Sequence, residues 1–239
     1  MNTIKKYELS LTVLDYLSKV NKDKYILMSN LIGFAGERGS LEAFLNKDFS
    51  VEDKSQLDIV LSELQEKSLI QPAFRDIVNR GSDLIISDKG RIALQKKSLD
   101  TLDEMLLTID SSGSLVQKRY GAYDAVLSKH TDWQRHVASS LVELIDQTLQ
   151  TVAPNVSIKT NDKTEQGSVR KAKIRTYLLQ KLGRRSESIE KVVEKAFDLI
   201  ESCRVRLEAI KHNRAINSSN EVESLIKLTE DSLYYMFDK

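Results

Sequence analysis

Apolar residues recur at helical spacing along most of the chain, which predicts a mostly α-helical protein. In the first third, this pattern defines one amphipathic helix near the start and a second, clearer helix over residues 55–69. Their apolar faces are formed by Leu9, Val13, Leu14, Leu17 and Val20, and by Leu57, Val60, Leu61 and Leu64. Two shorter apolar segments, 26–34 and 41–45, lie between them.

A change of pattern follows the second helix. Two short apolar runs, 69–74 and 84–87, flank a polar interval that contains Gly81, which is typical of a β-hairpin. Ser87 and Asp88 then supply an N-terminal cap for another helix. This succession over residues 55–95 resembles winged-helix modules, with the hairpin as a small β wing. We therefore predict a winged-helix domain and a connector helix over residues 1–110.

The candidate recognition helix of this module is acidic. Between Val51 and Ile70 there are five acidic residues against two lysines, on the element that would face DNA phosphates. This charge favours docking or dimerisation. Cations in and beside the wing keep a DNA-binding regulator as an alternative, namely Arg75, Arg80, Lys89 and Arg91.

The second half of the chain predicts a helical bundle over residues 115–239. A small-residue stretch, 111–114, is the expected break between domains. A long helical region, 115–153, is ended by Pro154, and the polar segment 155–168 predicts a flexible loop. Further helices are expected at about 169–181, 186–211 and 219–237.

Composition narrows the class of protein. Hydrophobic residues make up 41% and charged residues 30% of the chain, as in soluble globular proteins. The single cysteine, Cys203, excludes an internal disulfide and a cysteine-based zinc site. The three histidines lack metal-ligand spacing, and Gly-rich phosphate loops and long apolar runs are absent from the sequence. We expect a cytoplasmic protein that needs no cofactor or metal and has no membrane partner.

Arg206 and His212 are separated by five residues near the end of a long helical segment, a spacing similar to the Arg-x5-His motif of HEPN-type RNases, and this resemblance implies that they are the catalytic pair. A histidine titrates near neutrality and can take a proton from the 2′-hydroxyl of RNA. An arginine carries a permanent charge that can stabilise the developing phosphorane. Positions six apart on a helix lie about 120° apart, so the pair would need a helix end at His212 or a site completed across a dimer.

Two motifs carry a resemblance to known families. The run that begins Tyr120-Gly-Ala-Tyr-Asp124 and ends Val152-Ala-Pro154 resembles predicted nuclease domains found beside prokaryotic PIWI proteins and other phage-defence genes. The Arg-x5-His spacing and the final helix are similar to HEPN-type RNases, although Leu207 stands where these carry a polar residue. The resemblance covers residues 115–237 and implies a metal-independent endoribonuclease with an antiviral or toxin role.

A basic segment precedes and includes the candidate pair. Between Val169 and Arg214 there are thirteen lysines and arginines against six acids, which suggests RNA or another nucleic acid as partner. A solvated helix surface is the alternative. The expected contacts are Arg170, Lys171, Lys173, Arg175, Arg204, Lys211 and Arg214.

A second group of residues offers a weaker constellation: His130 and His136, with Arg119, Asp132 and Arg135. Because Arg135 and His136 fall in mid-helix among apolar positions, we expect His136 to be structural. Trp133 is expected to anchor the core or an interface, and Cys203 is expected to lie in the core.

Three functions therefore remain open. The first is an HEPN-like RNase that acts as a toxin or defence effector, as a homodimer or with a regulatory partner. The second is a non-catalytic winged-helix adaptor, an accessory subunit of a larger nucleic-acid-processing defence complex. The third is a DNA-binding regulator that uses the wing.

Overall fold

The computed structural model describes residues 5–19, 26–27, 31–32, 37–72, 83–128, 130–152, 187–212 and 218–237. The protein is mostly helical with one small sheet, as the apolar spacing predicts. It divides into two compact units, Met1–Glu104 and Met105–Lys239. The elements of the first are α1 (Lys6–Lys19), β1 (Ile26–Leu27), α2 (Ser40–Leu45), α3 (Val51–Glu66), β2 (Ile70–Pro72), β3 (Asp83–Ile86) and α4 (Asp88–Lys96).

The first unit packs its helices around a three-stranded antiparallel sheet of order β1-β3-β2. β2 and β3 pair with Ile70 opposite Ile86, which confirms that the two apolar runs around Gly81 pair as neighbouring strands. β1 pairs with the other edge of β3, with Ile26 opposite Leu84. The described residues of both predicted helical faces are buried in this unit: Leu9, Val13, Leu14 and Leu17 on α1, and Leu57, Val60, Leu61 and Leu64 on α3. Val20 lies outside the described residues.

Serine caps fix where two of these helices begin. Ser50 accepts a hydrogen bond from the backbone N–H of Asp53 at 3.1 Å, and the Asp53 carboxylate accepts one from the N–H of Ser50. Ser87 caps α4 by accepting from the N–H of Gly90 at 2.9 Å, which confirms the predicted cap. Asp53 is thus a buried capping residue. Of the acidic residues counted on α3, Asp53 therefore adds no negative charge to the exposed surface of the helix.

The second unit is a bundle of helices centred on α7. The remaining described helices are α5 (Thr101–Ile109), which spans the division between the units, α6 (Ser114–Ser128), α7 (Trp133–Val152), α8 (Glu187–Lys211) and α9 (Ser219–Phe237). α7 packs against α6, α8 and α9, and α8 packs along α9. Its apolar stripe is accordingly buried through Val137, Leu141, Leu144, Ile145 and Leu149.

The region predicted as one long helical stretch over 115–153 consists of two helices, α6 and α7. A turn at Thr131 and Asp132 separates them, and the carbonyl of Asp132 accepts from the N–H groups of Arg135 and His136. Trp133 begins α7, so Arg135 and His136 lie in its first turn and are exposed. The expectation that they sit in mid-helix among core residues was therefore wrong.

The other boundaries follow the sequence closely. Helices expected at 186–211 and 219–237 are found at Glu187–Lys211 and Ser219–Phe237. The expected loop at 155–168 and helix at 169–181 lie outside the described residues. The small-residue stretch at 111–114 forms the turn before α6, where Gly113 has a φ of 77°. None of the described helices combines the length and apolar composition that crossing a bilayer requires.

Candidate functional site

His212 lies at the exposed C-terminal end of α8. It directly follows the last helical residue, and its N–H still bonds to the carbonyl of Glu208 at 3.1 Å. The imidazole Nε2 is 3.1 Å from Oε2 of the same Glu208, one turn earlier on the helix. A neutral His212 that donates Nε2–H to this carboxylate carries its lone pair on Nδ1. The histidine side chain is 51% exposed, so substrate can reach it from solvent.

Arg206 lies nearly two turns earlier on α8 and faces α9. Its Nε donates to Oε1 of Glu221 at 2.6 Å, in the first turn of α9. This hydrogen bond raises the pKa of Arg206 and lowers the pKa of Glu221, so both groups stay charged at neutral pH. Because six residues on a helix correspond to about 120°, Arg206 and His212 point to different sides of α8. Within this chain, the two candidate catalytic residues contact different carboxylates.

The first turn of α7 lies beside the end of α8. Nε of Arg135 donates to the main-chain carbonyl of Lys211 at 3.2 Å, joining two residues 76 positions apart. A looser ion pair links Arg135 to Asp132 at 3.9 Å on its own turn. His130 and His136 are both exposed in this region, whereas His136 was expected to be structural.

Lys211 lies between acidic groups of two helices. Its Nζ is 3.9 Å from Oε1 of Glu208, so one carboxylate lies next to both Lys211 and His212. Glu143 of α7 accepts a 2.6 Å hydrogen bond from Lys118 of α6. That bond is the main reason for the lowered pKa of Glu143, to which the charge of Lys211 adds. Charged side chains of α6 and α7 and of the last turn of α8 therefore lie close together.

Arg204, expected to contact nucleic acid, binds α7. Its Nε and Nη2 donate to the two oxygens of Asp146 at 2.6 and 2.9 Å, a bidentate pair. This pairing raises the pKa of Arg204. Of the other expected contacts, Lys211 lies at the site, whereas Arg170, Lys171, Lys173, Arg175 and Arg214 lie outside the described residues.

A buried polar cluster was not predicted from the sequence. Arg119 of α6 donates from Nε to Oε1 of Glu230 on α9 at 2.7 Å, and Tyr123 donates to the other oxygen at 2.9 Å. The guanidinium also lies 5.2 Å from the centre of the Tyr120 ring. The available signal was a charged residue at a core position of an amphipathic helix. The expectation that grouped Arg119 with His130 and His136 missed this pairing.

Cys203 is buried on α8, as expected for a core residue. Burial raises the pKa of its thiol, while the nearby hydroxyl of Thr229 on α9 opposes this shift. In the part of the chain that the structure describes, no group of three or more His, Cys, Asp or Glu side chains is placed to hold a metal ion.

Comparison with known proteins bears on the second unit. The family model described as "Predicted pPIWI-associating nuclease" matches residues 107–236, which span α6 to α9 and more than half of the chain. No curated protein matches the chain, and no solved structure does. The matched segment contains His212, Glu208, Lys211 and Arg135, as well as the buried Arg119 cluster. The chain therefore belongs to the family of predicted pPIWI-associating nucleases.

Proposed function

We propose that the protein is an endoribonuclease of a prokaryotic antiviral defence or toxin system, with an HEPN-like bundle and metal-independent cleavage. The observation that carries the proposal is the exposed Glu208–His212 pair, 3.1 Å apart, at the end of α8. The carboxylate orients the imidazole by accepting a hydrogen bond from Nε2, as in carboxylate–histidine dyads of hydrolases. The cation Lys211 lies next to this pair and favours an approaching phosphate.

In the proposed reaction, Nδ1 of His212 accepts the proton of a ribose 2′-hydroxyl. The 2′-oxygen then attacks the adjacent phosphorus and forms a 2′,3′-cyclic phosphate, while the bond to the 5′-oxygen of the next nucleotide breaks. This oxygen takes up a proton from water, and His212 returns its proton to solvent. Arg206 is the proposed electrostatic partner of the phosphorane. Since Arg206 pairs with Glu221 and points away from His212 within one chain, a homodimer that brings Arg206 to the partner's site is part of the proposal.

The direct test is cleavage of a single-stranded RNA oligonucleotide by purified protein, with DNA of the same sequence as control. DNA should remain intact because it lacks the 2′-hydroxyl. His212→Ala should lower the RNA cleavage rate about 10²- to 10⁴-fold, the usual contribution of general acid–base catalysis. His130→Ala and His136→Ala are matched controls, because both histidines are exposed and should leave the rate within a few-fold of wild type.

The products identify the chemistry independently of the mutants. Cleavage through the 2′-oxygen leaves 2′,3′-cyclic phosphate and 5′-hydroxyl ends, which mass spectrometry distinguishes from 3′-hydroxyl and 5′-phosphate ends. Equal cleavage by wild type and His212→Ala would exclude His212 as the base. Absence of cleavage by every protein, in vitro and in cells that express it, would favour the adaptor function.

For the first unit we propose a winged-helix module that docks a protein, either a second copy or a partner in a larger defence complex. The order α1-β1-α2-α3-β2-β3 and the sheet order β1-β3-β2 support this assignment. The surface of α3 favours protein over DNA because Glu52, Asp58 and Glu66 are exposed or half-exposed and Val51 is 77% exposed. In the DNA-regulator alternative, Arg91→Ala would reduce the salt dependence of DNA binding.

A further inference from the structure

The C-terminal carbonyls of an α-helix lack partners within the helix, so they must bond elsewhere. At the end of α8, the carbonyl of Lys211 accepts a hydrogen bond from Nε of Arg135, on the first turn of α7. This carbonyl belongs to the peptide group whose nitrogen is that of His212. The Arg135 bond therefore acts on the peptide plane directly attached to the His212 Cα.

The side chain of His212 is restrained separately. Glu208 lies 3.1 Å from its Nε2, and Glu208 belongs to the preceding turn of α8. The His212 imidazole is thus fixed at two points, its backbone by α7 and its ring by α8. Without the first restraint, the terminal turn of α8 would be free to fray, because a helix end has few intrahelical bonds.

We propose that Arg135 is a positioning residue for His212. Arg135 holds the last peptide group of α8 so that the imidazole of His212 meets the scissile phosphate. The inference rests on the proposed RNase function. Its chemical basis is that a displacement of about 1 Å at a reacting group can cost about 10²-fold in rate. Arg135 acts through the backbone, since its Nε donates to the carbonyl of Lys211 and its Nη1 lies 3.9 Å from the carboxylate of Asp132.

The expected kinetic signature separates this role from phosphate binding. Arg135→Ala should lower kcat about 10- to 100-fold with little change in KM, since the substrate loses no contact. Arg135→Gln removes the charge but keeps an N–H donor for the Lys211 carbonyl, so it should recover most of kcat. Lys195→Ala is the matched control for loss of a cation, because Lys195 lies on α8 with its side chain 85% exposed.

The experiment combines steady-state RNA cleavage at several salt concentrations with a double-mutant cycle of Arg135→Ala and His212→Ala. If Arg135 acts through His212, the double variant should be no slower than His212→Ala alone. Hydrogen exchange of peptides covering 205–212 gives a readout that needs no activity. Exchange there should be faster in Arg135→Ala than in wild type, and near wild type in Arg135→Gln.

Each contrary result is distinct. The proposal would be overturned if the rate losses of Arg135→Ala and His212→Ala multiplied in the double variant. It would also be overturned if both Arg135→Ala and Arg135→Gln raised KM and weakened the salt dependence of cleavage, since Arg135 would then be a phosphate contact. Unchanged exchange in Arg135→Ala would overturn it as well. Wild-type cleavage by His212→Ala would exclude His212 as the base and overturn the proposed role of Arg135 with it, and the exchange data would then report on the Arg135–Lys211 contact alone.

Discussion

The ion pair between Arg119 and Glu230 is buried, with only 8% and 14% of the two side chains exposed. Desolvation of such a pair is offset by good geometry and by further hydrogen bonds to the same groups. Tyr123 provides one of these by donating to the second oxygen of Glu230. The cluster connects α6 to α9 and fixes how the two helices are aligned.

We expect Arg119→Met to lower the free energy of unfolding by about 3–5 kcal/mol, because it leaves the Glu230 carboxylate buried without its cation. Arg119→Met combined with Glu230→Met should be less destabilised than Arg119→Met alone, since no buried charge remains. Urea unfolding followed by circular dichroism measures both. A loss below about 1 kcal/mol in the single variant, typical of surface ion pairs, would contradict this account.

The start of α4 depends on a close approach between elements. A Cβ added at Gly90 would lie 2.0 Å from the carbonyl oxygen of Leu69 and 2.8 Å from Cγ1 of Ile86. Ser87 also bonds to this carbonyl, from its backbone N–H and its hydroxyl. Only glycine lets α4 pack this closely against the chain that leads into β2.

Substitution of two helical glycines by alanine should change the stability of the protein in opposite directions. Alanine normally stabilises a helix by up to about 1 kcal/mol relative to glycine. At Gly121 on α6, a Cβ would meet Ser140 Oγ at 3.4 Å, so Gly121→Ala should be neutral or stabilising. Gly90→Ala should destabilise by about 1–3 kcal/mol or more, because backbone must move. Thermal unfolding of the two variants compares them, and equal shifts would refute the argument.

The same elements show what the sequence could predict. Strong apolar periodicity placed α8 and α9 within a residue of their observed bounds, and the serine cap of α4 was predicted from Ser87 and Asp88. The break between α6 and α7 was missed because it contains neither glycine nor proline. Its signal was the polar run His130-Thr-Asp132, where the carbonyl of Asp132 accepts the first hydrogen bonds of α7.

The candidate site was predictable only in part, because its contacts join residues that are far apart in the sequence. His212 was identified from its spacing to Arg206, but its observed contacts are with Glu208 and, through Lys211, with Arg135. A spacing along one helix determines which residues share a face. It contains no information about which other helix packs against its end, and Arg135 precedes Lys211 by 76 positions.

Charge is unevenly distributed along the whole molecule, although the net charge is only +1. All six acids counted between Val169 and Arg214 fall within α8, where five lysines and arginines accompany them. The basic excess of that segment therefore lies in residues 170–185 and Arg214. The polyanion contact inferred from composition depends on those residues more than on α8 itself.

The nuclease-family match over residues 107–236 falls entirely within the second unit, so we predict that this unit contains the residues needed for catalysis. A fragment of residues 98–239 contains the whole of α5. It also contains Asp100, which precedes α5 and whose carboxylate accepts a hydrogen bond from the N–H of Asp103 at 3.0 Å. We expect this fragment to be helical by circular dichroism and to cleave RNA at a rate within about tenfold of the full chain. Folding without cleavage would show that the first unit takes part in activity, whereas an unfolded fragment would show that the units are not autonomous.

The hydrogen bond from Arg135 to the Lys211 carbonyl has a consequence for how the family can diversify. The last peptide group before His212 is anchored to α7, and the imidazole is oriented by a residue that precedes it in the chain. Both anchors of the histidine, Arg135 and Glu208, therefore precede it in the chain. Within the family, a substitution at either anchor would change the orientation of the imidazole without changing the histidine itself.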